Sequence, residues 1–172
     1  MTASSTLSLA APFSASLPSL HPILGFYFKY ATAFKDLDHA ASTSLYSKSA
    51  VLTFPDGKTL QGSDRIWSFY RQIYGPFYTN EADCLSLHIV SDESAGTHTL
   101  HIEMIRHLCS SGEQTAMEVP QYFVYTIRKV EGGAGADGFQ IEAVRCYYDY
   151  SLVKAAATLI GVDVDKWETT GI

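Results

Sequence analysis

Apolar positions recur at three- and four-residue spacing through the first third of the chain. Ile23, Phe26, Tyr27, Tyr30, Ala31 and Phe34 form one such stripe, which predicts an amphipathic helix capped by Ser19 with Pro22 in its first turn. A shorter helix is expected after Asp38, with Ala41 and Leu45 inward. Residues 51–54 and 59–61 read as short strands around the turn Pro55-Asp56-Gly57. Ser63 is expected to cap a third helix with a buried stripe of Ile66, Phe69, Tyr70, Ile73 and Tyr74, ended by Gly75-Pro76. The period then changes to two. Long strands are predicted over 83–91, 96–109, 114–131 and 138–151, with turns at 92–94, 110–112 and 132–138. A helix over 152–160 and a tail close the chain. Three N-terminal helices followed by a strongly bent antiparallel sheet make an α+β plan, in which a cone-shaped curved sheet wraps the helices around an apolar pocket. The domain is expected over 20–152, between a flexible tail (1–19) and a C-terminal helix and tail (153–172).

Alternation divides the last three strands into two faces. One carries His98, Leu100, Ile102, Met104, Arg106, Met117, Val119, Gln121, Phe123, Tyr125, Ile127, Val144, Cys146 and Tyr148. It is mostly apolar and should face the helices. The other carries His101, Glu103, His107, Glu118, Tyr122, Arg128, Arg145, Tyr147 and Asp149, and should meet water or a partner subunit. The conspicuous crowd of His101, Glu103, Arg145 and Asp149 therefore reads as an outer charge network. The functional candidates are the polar groups stranded in the apolar set: Arg106, Gln121, Tyr125, Tyr148 and His98. A buried polar group must be paired or used.

Composition narrows the classes. Apolar residues make up 47% of the 172 and charged residues only 17%, which suits a closed core and excludes a disordered chain. Net charge is −6 without basic runs, so no nucleic-acid partner is expected. Cys84, Cys109 and Cys146 have neither zinc spacing nor a disulfide framework; no metal or cofactor is expected, and the reading is a reducing, cytoplasmic setting. The first twenty residues lack a basic start and a continuous apolar run, and no stretch is long enough to span a membrane.

The stretch Tyr30-Ala-Thr-Ala-Phe-Lys-Asp-Leu-Asp, Leu45 through Pro55, and Gly62-Ser-Asp-Arg-Ile-Trp-Ser-Phe-Tyr70 resemble the first half of ketosteroid isomerases. The ending Val144-Arg-Cys-Tyr-Tyr-Asp149 resembles the last strand of those enzymes and of limonene-epoxide hydrolases. Over about 21–152 the chain thus resembles the nuclear transport factor 2-like superfamily, also called SnoaL-like. That resemblance implies the cone fold, and a role among relatives that tailor polyketide and terpenoid intermediates. It puts Tyr30 where ketosteroid isomerases hold an oxyanion-donating tyrosine, and a second donor near Gln121. It puts Phe54, or a position one or two residues away if the turn shifts, where their general-base aspartate belongs; the nearest carboxylate, Asp56, sits in a turn. Cys146 stands in place of the epoxide-hydrolase carboxylate, and Met104 and Arg106 in place of that family's Arg-x-Asp pair. Of the paired His and Tyr groups of scytalone dehydratase, the inward set offers only His98 as the histidine.

Two functions follow. One is a cofactor-independent isomerase, cyclase or dehydratase acting on an apolar, oxygenated small molecule. Tyr30 would be the acid or oxyanion donor, Gln121 and Tyr125 would orient the substrate, and Arg106 or His98 would stabilise charge or shuttle a proton. Tyr27, Phe54, Met104, Phe123, Tyr125, Cys146 and Tyr148 would line the substrate site. The other is a non-catalytic small-ligand-binding or dimerisation module. Under either, a homodimer through the outer sheet face is expected.

Overall fold

The computed structural model describes residues 4–13, 17–111, 114–131 and 135–167. The expected turns at 110–112 and 132–138 fall partly outside them, and residues 1–3, 14–16 and 168–172 of the expected tails wholly so.

The helical half begins with α1 (Leu17–Leu20) and α2 (Pro22–Lys35). The cap of α2 is not Ser19, which lies within α1. His21 takes that place, and its Nδ1 accepts the backbone N–H of Ile23 at 3.2 Å. Ile23, Leu24, Phe26, Tyr30 and Phe34 form the buried face of α2. Asp38 accepts the N–H of Ala40 and starts a short 3₁₀ turn (His39–Ala41) that runs into α3 (Ser42–Leu45). The strands β2 (Tyr46–Thr53) and β3 (Thr59–Gln61) flank the turn at Asp56, whose carboxylate accepts the Lys58 N–H. That bond holds the Asp56 carboxyl below its ordinary range, which suits turn chemistry. In α4 (Ser63–Tyr74) the cap is Gly62, at φ 101°, a conformation that favours glycine; Ser63 is the first helical residue and is buried. The predicted stripe of α4 is buried, and Trp67 joins it.

The second half is the meander β4 (Thr79–Asp92), β5 (Thr97–Ser111), β6 (Gln114–Lys129) and β7 (Phe139–Tyr147). The last strand stops earlier than expected, because Asp149 turns to cap α5 (Tyr150–Leu159), accepting the N–H of Ser151 at 2.9 Å. Beyond α5, a 3₁₀ turn (Val164–Lys166) brings Trp167 into the core. The largest difference is at the N-terminus. Where a flexible tail was expected, β1 (Ser4–Ala10) pairs antiparallel with β4, Leu7 opposite Ile89. Only Leu7 and Leu9 of that strand are half-buried, so backbone pairing rather than apolar burial organises it.

The sheet order is β1-β4-β5-β6-β7-β2-β3, antiparallel except for the parallel pair β2–β7. Register shifts at Cys84/Ser86, Leu108/Cys109 and Thr126/Ile127 bend the long strands into a curved, unclosed sheet around the helices. The two faces are those predicted by alternation. His98, Leu100, Ile102, Met104, Arg106, Val119, Gln121, Phe123, Tyr125, Ile127, Val144 and Cys146 are buried, whereas Glu103, Glu118, Tyr122, Arg128, Arg145 and Tyr147 are exposed. Among the described residues, no helix is long and apolar enough to cross a membrane.

Candidate functional site

A cavity of about 710 Å³ opens between α2 and the inner face of β4, β5 and β6. From α2 come Tyr27, Tyr30 and Phe34; from the sheet come Asn80, Cys84, Leu87, Met104, Arg106, Phe123 and Tyr125. Phe13 and Leu17 add apolar surface from the N-terminal segment. Lys35 and Glu81, both exposed and paired at 2.5 Å, also belong to the lining.

Spacing explains the α2 contribution. Tyr27, Tyr30 and Phe34 sit three and four residues apart, so they project over one another on the helix face turned toward the sheet. The rings then interlock: Tyr30 lies 5.5 Å from Tyr125 and 5.9 Å from both Tyr27 and Tyr46, centroid to centroid. Tyr46, itself fully buried, donates its hydroxyl to that of Tyr30 at 3.1 Å. A hydroxyl both donates and accepts; in the sense Tyr46 to Tyr30 the bond leaves the Tyr30 proton free to donate onward. Burial pushes the Tyr30 phenol well above its ordinary value, with Tyr46 adding to the shift and the Tyr125 hydroxyl opposing it. Tyr27 and Tyr125 are raised by burial too, against the field of Arg106. All three stay protonated at neutral pH and act as hydrogen-bond donors rather than bases.

Arg106 is the one cation in the buried part of this lining. Its Nε donates to Gln121 Oε1 at 2.8 Å, and its Nη1 to the carbonyl and side-chain oxygens of Asn80 at 2.7 and 3.1 Å. The guanidinium also lies over the rings of Phe34 and Tyr74, 4.8 and 5.0 Å from their centroids. Gln121 is outside the lining: it sits behind Arg106 and donates its Nε2 to the Tyr74 hydroxyl at 3.0 Å. It is a positioning residue for the guanidinium.

Of the predicted site residues, the structure brings Tyr27, Tyr30, Met104, Arg106, Phe123 and Tyr125 to one cavity. Phe54 instead packs on Phe69 at 5.1 Å, and Cys146 donates its thiol to the Thr53 carbonyl at 3.5 Å. Burial pushes that thiol up to about 12, which fits an inert core cysteine. Tyr148 sits between Phe123 and Tyr150, off the lining. Cys84 does reach the cavity, and burial pushes its thiol up to about 11. Asn80 was missed by sequence reasoning because Asn80-Glu81-Ala82-Asp83 has the look of a loop, whereas β4 already begins at Thr79.

His98 is drawn to a different cluster, where Ser91 is fully buried between His98 Nδ1 at 2.8 Å and His21 Nε2 at 3.4 Å. Ligand atoms of His21, Glu93 and His98 lie within 4.8 Å of one another, a spacing a metal could use. Yet His21 Nδ1 is committed to capping α2. One arrangement of protons satisfies every contact: His21 Nε2–H donates to Ser91, and the Ser91 hydroxyl donates to His98 Nδ1. The cluster is thus a hydrogen-bond chain that ties α2 to β4 and β5. Burial holds His98 below the ordinary histidine value of 6.5, with Glu93 opposing the shift and His21 and Lys129 adding to it. The unfolded chain takes up a proton near pH 6.5 that the folded chain refuses, so stability is expected to be unaffected above that pH and to fall as pH drops below it. His98→Gln should flatten that slope in urea titrations between about pH 8 and pH 5; an unchanged slope would contradict a neutral, buried His98.

Neither a protein-family model nor a curated protein matches this sequence. Solved structures do. An NTF2-like protein from Cytophaga hutchinsonii superposes with a TM-score of 0.58 at 15% identity, covering 74% of this chain and 96% of its own. The fold is nuclear transport factor 2-like. A protein from Shewanella putrefaciens described as a SnoaL-like polyketide cyclase has the same fold (TM-score 0.58, 14% identity, 88% of this chain and 96% of that one). So does one from Novosphingobium aromaticivorans described as a scytalone dehydratase (TM-score 0.57, 13% identity, 74% and 81%). Another similar structure, from Nostoc punctiforme, is described as a protein of unknown function with a cystatin-like fold. At these identities the likeness establishes the fold, not the activity.

Proposed function

We propose that this chain is a cofactor-independent isomerase, cyclase or dehydratase acting on an apolar, oxygenated small molecule of polyketide or terpenoid type. The observation that carries the reading is the convergence of protonated phenols and one buried guanidinium on a mostly apolar cavity. Such a lining polarises a carbonyl and holds the negative charge that develops on its oxygen, while the aromatic walls fold the substrate into a reactive shape. Proteins described as a cyclase and a dehydratase share the scaffold, which is consistent with this chemistry.

In this reading Tyr30, primed by Tyr46, donates to the substrate oxygen. Tyr30→Phe is expected to lower kcat about tenfold, since it removes one donor among several, while circular dichroism stays native. Unchanged turnover of the substrate would refute the assignment. A second reading, a ligand-binding module without turnover, is favoured by one observation: among the described residues, Glu81 is the carboxylate in the lining, and it is exposed and bound to Lys35. A ligand recovered unchanged after long incubation with the protein would decide for that module.

A homodimer through the outer sheet face is part of the same proposal. The exposed rings of Tyr122 and Tyr147 meet at 5.9 Å there, and the Tyr122 hydroxyl bonds His101 Nδ1 at 2.7 Å. Sedimentation at micromolar concentration should give twice the chain mass; a monomer would remove the dimer. A reducing, cytoplasmic setting is supported by three cysteines that are all unpaired.

A further inference from the structure

We infer that the molecule bound in this cavity carries a carboxylate, which Arg106 receives. This rests on the cavity being a small-molecule site, and it goes beyond that reading by assigning the ligand a charge. Arg106 is only 6% exposed and brings a guanidinium charge into the lining. Each of its partners is neutral: an amide oxygen of Gln121, two oxygens of Asn80, two aromatic faces and the Met104 sulfur. Among the described residues, no carboxylate forms an ion pair with it; the lining's Glu81 is taken by Lys35. A buried cation without a counter-charge is the arrangement a protein avoids unless something else supplies the anion.

The bonds also leave a direction open. Nε and Nη1 are held by Gln121 and Asn80, behind and beside the group. Among the described residues, Nη2 has only the Met104 thioether, at 3.6 Å, a weak acceptor. Met104, like Arg106, Tyr27 and Tyr125, lines the cavity. A carboxylate oxygen beside Nη2 would meet a charge-assisted donor and, from Tyr27, a phenol donor that stays protonated. An apolar body would lie against Phe13, Leu17, Leu87 and Phe123.

The test uses the full chain and two probes of one shape, 2-naphthoate and its neutral amide 2-naphthamide, titrated by calorimetry at neutral pH. The naphthoate is expected to bind about tenfold tighter than the amide. Arg106→Gln should erase that preference, and the double variant Lys35→Gln/Glu81→Gln, which removes the exposed ion pair together and leaves no unpaired carboxylate behind, should keep it. The wild-type comparison stands even if the Arg106 variant does not fold. Equal affinity for the two probes would overturn the carboxylate inference and leave the cavity reading intact. Loss of the preference in that double variant would also overturn it, by placing the anion at Lys35. Failure of both probes to bind at about 1 mM would overturn the inference and the cavity reading together.

Discussion

Replacing Gln121 by leucine is expected to cost about 3 kcal/mol of folding stability, far more than the loss of one side-chain hydrogen bond. The reason is what stays behind. Leucine removes the acceptor of Arg106 Nε and the donor to the Tyr74 hydroxyl in one step, and both groups remain buried. Chemical denaturation of Gln121→Leu, Arg106→Leu and the double variant separates the terms. The double variant should be more stable than Gln121→Leu alone, because the orphaned charge has gone with its partner. Strictly additive losses would mean that Gln121 does not act through Arg106. Gln121→Glu offers the opposite change: it places a carboxylate beside the guanidinium, with the Tyr74 hydroxyl turned round to donate. That variant should fold normally and lose its preference for an anionic probe.

Trp67→Ala should cost about 3–5 kcal/mol, measured by the same denaturation. Trp67 is fully buried in α4, and its ring touches those of Tyr30, Phe34, Tyr46 and Tyr70 at 6.0 to 6.4 Å between centroids. Its indole N–H has no partner among the described residues, so the truncation breaks no hydrogen bond and the loss is one of packing and cavity formation. Trp67→Phe should cost about 1–2 kcal/mol, because much of the aromatic contact survives and an unsatisfied donor is removed. A loss below about 1 kcal/mol in Trp67→Ala would show that the cluster collapses around the gap, and that the Tyr30 ring is not held in place from behind.

The faces of the sheet were legible because alternation needs only two anchors, a turn and an apolar run. That is why Arg106 and Tyr125 could be placed inward and Arg145 outward before any coordinates. Height along the cone was not legible. Alternation says which way Phe54, Cys146 and Tyr148 point, but whether they reach the cavity depends on where α2 lies across the strands and where the bulges fall. The same limit moved His98 into the chain with Ser91 and His21: Ser91 stands directly opposite it across the β4–β5 turn, but His21 comes from a segment distant in sequence. Ser4–Ala10 escaped notice for another reason. An edge strand held by backbone pairing needs few apolar side chains, and its Ser- and Thr-rich sequence reads as a tail.

The parallel pairing of β2 with β7 has a consequence for the order in which the molecule is built. Residues 46–53 are synthesised some ninety positions before the segment at 141–145 that they must lie against. The aromatic faces of α2 and α4 likewise emerge ahead of the sheet that covers them. The first half of the chain therefore leaves the ribosome as helices with sticky, uncovered sides, and has to wait for the meander before it can close. Pairings so distant in sequence are slow to form, and intermediates of this kind are the ones that chaperones hold and that aggregate when they are not held. A nascent chain stopped before β7 should be readily cut by protease, and protection should appear in one step once residues 139–147 have been added.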